Sequence, residues 1–62
     1  MSKPMYYIEL EETFVPTVAV CYWWRVKNRN TQIILTSETY TTKRARNDSA
    51  KRYAKFTGMS IL

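Results

Sequence analysis

Residues 17–27 read TVAVCYWWRVK, and this stretch decides the fold. It is rich in β-branched and aromatic residues and has no internal glycine or proline, as a strand requires. Alternation divides it into two faces. Val18, Val20, Tyr22, Trp24 and Val26 share one, and Ala19, Cys21, Trp23, Arg25 and Lys27 share the other. The first set is the natural core face. The second mixes a tryptophan with small and basic residues.

Working upstream, residues 5–11 (MYYIELE) alternate with Tyr6, Ile8 and Leu10 on one side and Tyr7, Glu9 and Glu11 on the other. That pattern predicts an edge strand with one wet face, whose glutamates discourage edge-to-edge pairing. Glu12 to Pro16 should break the strand, with Pro16 at a turn or an edge. Downstream, KNRNT (27–31) reads as a turn, with Asn30 as its left-handed residue. Residues 32–37 (QIILTS) predict a third strand, of ambiguous period because Ile33, Ile34 and Leu35 are all apolar.

The period then changes. Thr41 and Thr42 offer an N-cap, a helix runs to about Thr57, and Gly58 stands where a left-handed C-terminal residue belongs. On a helical wheel Ala45, Ser49, Tyr53 and Phe56 line one side with Ala50 at its margin, opposite Arg44, Lys51 and Lys55. Met59, Ile61 and Leu62 form a short apolar tail. These elements make one α+β domain over residues 1–62: a three-stranded antiparallel sheet with a C-terminal helix on one face.

With 62 residues the core is thin. Chains this short usually lean on disulfides, a metal or a partner. Cys21 is the only cysteine and there is no histidine, so neither an internal bridge nor an ordinary zinc site is expected. Self-association is the remaining source of buried area. No apolar run is long enough to span a membrane, and MSKPMYY has no signal-peptide core. With a single cysteine, these features predict a cytoplasmic protein.

The central residues carry a resemblance. Trp24-Arg25-Val26-Lys27, Asn30, Ile33-Ile34, Ser37-Glu38, Tyr40 and Thr42-Lys43 follow the spacing of the small YegP-like domains of unknown function. The resemblance covers roughly residues 20–56. It implies the same three-stranded sheet and helix, often as a tandem pair of which a single copy looks like half. It also implies that Ile34 points to the helix, which leaves Ile33 and Leu35 on the open face with Trp23. The family's turn glycine is replaced by Thr31, so a longer loop around Asn30 is expected.

Catalysis finds little support. Cys21 has no histidine base, Glu9 and Glu11 form no catalytic pair, and no glycine-rich phosphate loop exists. No cofactor or metal is expected, and the reading is non-enzymatic. Charge is more informative, with ten Lys plus Arg against five Asp plus Glu. The helical stretch carries Lys43, Arg44, Arg46, Lys51, Arg52 and Lys55 against Asp48 alone. This asymmetry predicts an acidic partner.

The leading expectation is a homodimeric binding module, inhibitor- or adaptor-like, that engages an acidic protein through those six cations. Its self-interface would hold Trp23, Arg25, Ile33 and Leu35. The rival is a nucleic-acid-binding protein that uses the basic helix and exposed aromatics. Thr41, Thr42, Lys43 and Arg44 would form an anion site at the helix start, where the macrodipole disfavours cations. The small size is also typical of phage-encoded proteins.

Overall fold

The computed structural model describes residues 4–15 and 19–62. Strands β1 (Tyr6–Val15) and β2 (Ala19–Asn28) form a long antiparallel hairpin, with Ile8 opposite Val26 and Leu10 opposite Trp24. Strand β3 (Ile33–Thr36) runs antiparallel to β2, helix α1 (Lys43–Thr57) packs on one face, and β4 (Ser60–Ile61) pairs in parallel with β1. The sheet order is β3-β2-β1-β4.

The α+β class is as expected, but the sheet is four-stranded and mixed, not three-stranded and antiparallel. The apolar tail makes the difference. Met59 and Ile61 pack against the core, and the Leu62 N–H donates to the Ile8 carbonyl at 2.9 Å. β1 is therefore an interior strand, not an edge. It also continues through Glu12 to Val15, because each of those residues keeps a partner on β2. Pro16 and Val18 lie outside the described residues.

The core is small: Ile8, Trp24, Val26 and Ala50, bordered by Leu10, Tyr40, Tyr53, Ala54, Met59 and Ile61. The face of β2 that carries Trp24 is thus the buried one. Ala50 lets α1 lie close to the sheet, and the Tyr53 ring sits 4.7 Å from that of Trp24. Burying an indole requires an acceptor for its N–H; Trp24 Nε1 donates to Ser49 Oγ at 3.1 Å, and the Tyr40 hydroxyl meets the same oxygen at 2.8 Å.

Both ends of α1 follow the sequence signals. Thr42 Oγ1 accepts from the Ala45 N–H, and Gly58 takes φ 79° while its N–H donates to the Ala54 carbonyl. The rotation of the helix differs from the wheel reading, however. Arg46 and Ala50 are buried, whereas Ala45 and Phe56 are exposed. Arg46 can point inward because its guanidinium finds partners there. Nη1 donates to the Glu11 carbonyl at 2.7 Å, Nε donates to Asn47 Oδ1, and the group lies 5.3 Å from the centre of the Tyr22 ring.

The turn between β2 and β3 also differs. The Thr31 N–H closes a turn on the Asn28 carbonyl, and Asn28 Oδ1 accepts from the N–H groups of Asn30 and Gln32. This three-residue connection needs its left-handed residue after the turn. That residue is Thr31, at φ 65°, and not Asn30.

Candidate interaction surfaces

The sheet face opposite α1 carries Tyr7, Glu9, Glu11, Cys21, Trp23, Arg25 and Lys27, the set that alternates with the core-facing residues. Its charges are matched. Lys27 Nζ lies 2.6 Å from Glu9 Oε1, and Arg25 Nη2 lies 2.9 Å from Glu11 Oε2 and 3.7 Å from Glu9 Oε1. The Arg25–Glu11 approach is off the hydrogen-bonding direction, so its attraction is Coulombic, and Arg25 Nε has no hydrogen-bond partner among the described residues. A hydrogen bond donated by Glu11 when that carboxyl holds a proton, then one from Lys27, keeps the Glu9 carboxyl below the ordinary carboxylate range, with partial desolvation opposing them.

The four expected interface residues do not share this face. Trp23 and Arg25 do, and both are half-buried, while Tyr7 is only 1 % exposed. Ile33 stands opposite Lys27 and so lies on the same side, but Leu35 stands opposite Val26, on the helix side. Nor is Ile34 a core residue; it is 54 % exposed. Two causes act together. A register irregularity at Val26/Lys27 shifts the alternation, and a one-residue slip exchanges faces. In addition, α1 packs on β1, β2 and β4 and does not reach β3. All four β3 side chains are exposed.

The second surface is the outer face of α1. Lys51, Arg52 and Lys55 are exposed, as are Lys43 and Arg44 at its start. Arg44 Nε comes within 4.0 Å of Asp48 Oδ2; Lys43, Lys51, Arg52 and Lys55 form no ion pair among the described residues. Arg46, counted with them in the sequence, is 4 % exposed and belongs to the packing of α1 on the sheet, with Glu12 Oε1 4.0 Å away. At the helix start the Thr42 hydroxyl is engaged in capping, and Thr41, Lys43 and Arg44 are exposed beside it.

Sequence pattern also missed Phe56. It is 89 % exposed, one helical turn after Arg52 and next to Lys55. The signal was available: Phe56 lies six positions after Ala50, which places it about 240° around the helix from the residue closest to the sheet.

A three-stranded meander is extended by a short parallel strand, with one helix across it. The chain belongs to the domain-of-unknown-function family DUF1508, whose profile matches residues 21–52 and which includes the YegP-like domains. The matched segment runs from β2 through the middle of α1. It includes Ser37, whose N–H donates to the Trp24 carbonyl and whose Oγ accepts from the Trp24 N–H, and Tyr40, which bridges Tyr22. No curated protein and no solved structure matches the chain. No helix among the described residues is long and apolar enough to cross a membrane.

Proposed function

We propose that this protein is a non-enzymatic binding module that works as a homodimer and presents the outer face of α1 to an anionic partner. One observation carries the reading: the pattern of charge pairing. The sheet cations Arg25 and Lys27 are matched by Glu9 and Glu11, whereas Lys43, Lys51, Arg52 and Lys55 have no counter-charge on the described chain. Arg29 in the β2–β3 turn is unpaired among the described residues as well, and Lys43 starts the helix on the Ala50 side, so the uncompensated charge that shares one helix face is that of Lys51, Arg52 and Lys55. Carboxylates of a protein and phosphates of a nucleic acid both fit this description. An inhibitor- or adaptor-like role in a reducing cytoplasm accords with the size, the lone half-buried Cys21 and the absence of catalytic groupings in the sequence.

Uncovered surface supports the dimer. Ile33, Ile34 and Leu35 lie on an edge strand that the helix does not cover. A second copy placed along β3 would bury these side chains and pair the free edge.

The anionic-partner reading is tested on immobilised heparin. The wild type should be retained at low salt, and Lys51→Glu/Arg52→Glu/Lys55→Glu should flow through. Equal retention of a folded triple variant would contradict it.

A further inference from the structure

Phe56 gives the basic face a second property. Its ring is 89 % exposed, while the other aromatics of the helix and of β2 are at least half-buried. An isolated exposed apolar residue needs no special account. This one, however, stands within the only unpaired cluster of cations on the helix, four positions after Arg52 and adjacent to Lys55.

A protein partner and a single-stranded nucleic acid demand different things of such a face. A protein interface has a contiguous apolar core with charge moved to the rim. On the outer face of α1, Arg44, Asp48, Lys51, Arg52 and Lys55 are all charged, and Phe56 is the one large apolar side chain beside them. Single-stranded nucleic acid requires cations along the backbone and an aromatic face on which a base can stack, and one ring is enough to hold a base. The outer-face cations from Arg44 to Lys55 extend over about 16 Å of helix, enough for several nucleotides. A phenyl ring has no polar group to satisfy, so stacking is what it offers.

We infer that the outer face of α1 binds single-stranded nucleic acid, with Lys51, Arg52 and Lys55 on the phosphates and Phe56 stacked on a base. This rests on the anionic-partner reading and names the partner's class.

The experiment measures fluorescence anisotropy of a labelled oligo(dT) of about twenty nucleotides with the full chain. Wild type, Phe56→Ala, Phe56→Leu and Phe56→Trp are compared across salt concentrations. Because Phe56 is exposed, all four should fold, which far-ultraviolet circular dichroism checks. The expected salt slope is about −2.1, from roughly 0.7 for each of three phosphates on a single strand. Phe56→Ala and Phe56→Leu should both weaken binding about tenfold, and Phe56→Trp should restore it. Leucine keeps the apolar bulk without the ring, so loss in both variants identifies stacking.

Four results would overturn the inference. Equal affinities for all four proteins would remove Phe56 from the site. Retention on heparin without oligo(dT) binding would leave the anionic-partner reading standing and point to an acidic protein. Conversion of a wild-type dimer to monomer by Phe56→Ala would assign the ring to the contact between copies. Failure of the wild type to bind heparin as well would reject both readings together.

Discussion

The indole of Trp24 donates to Ser49 Oγ at 3.1 Å, and this bond helps determine which side of α1 meets the sheet. Ser49 stands one position before Ala50 and serves Tyr40 as well. Ser49→Ala would leave a buried indole N–H and a tyrosine hydroxyl without their shared partner. The expected loss is about 1–3 kcal/mol, read from the urea midpoint. Trp24→Ala removes the central aromatic and should cost about 3–5 kcal/mol, enough to unfold a domain of this size. A folded Trp24→Ala protein would show that the core lies elsewhere.

Thr31 is β-branched and sits at φ 65°, a region that L side chains occupy at a cost. Thr31→Gly relieves about 1–2 kcal/mol of backbone strain and loses part of it to unfolded-chain entropy. A net gain of about 0.5–1 kcal/mol should appear as a higher urea midpoint at unchanged slope. Destabilisation would mean that the turn does not take this shape.

Arg46 and the outer cations should separate cleanly. Arg46→Met keeps the bulk but leaves the Glu11 carbonyl without its charged donor, so thermal stability should fall while heparin retention barely changes. Lys51→Glu should do the reverse. If Arg46→Met abolishes retention in a folded protein, the buried placement of Arg46 is wrong.

These contrasts also show what the sequence could disclose. Trp24, the Thr42 cap and Gly58 were legible because each answers a local rule of alternation or capping, whereas Ser37 and Tyr40 entered only through the family resemblance. β4 was not: two residues have no period, and Ser60–Ile61 becomes a strand only because β1 lies beside it. The faces of β3 were hidden by three consecutive aliphatic residues and a register irregularity that no pattern announces. Arg46 was counted as surface charge because its inward partners, the Glu11 carbonyl and the Tyr22 ring, come from strands far away in sequence.

Glu9 sets an acid limit. Its carboxyl is held below the ordinary range in the fold, so the folded chain binds fewer protons there than the unfolded chain. The stabilising contribution is present at neutral pH. It is lost as pH falls through the ordinary carboxylate range towards the lower folded value. The urea midpoint should therefore drop between about pH 6 and about pH 3, and Glu9→Gln should flatten part of that fall. An unchanged pH profile in Glu9→Gln would place the acid sensitivity on another group.

The uncovered β3 strand is the centre of the account, because a thin core and an aliphatic edge both call for a second copy. Ile34→Lys places a charge on that edge at a residue already 54 % exposed, so it should oppose pairing without unfolding the chain. The deciding measurement is sedimentation equilibrium of the wild type at tens of micromolar. The account predicts a mass near twice 7.4 kDa, falling to 7.4 kDa in Ile34→Lys. A wild type that remains at 7.4 kDa across the concentration range would contradict it.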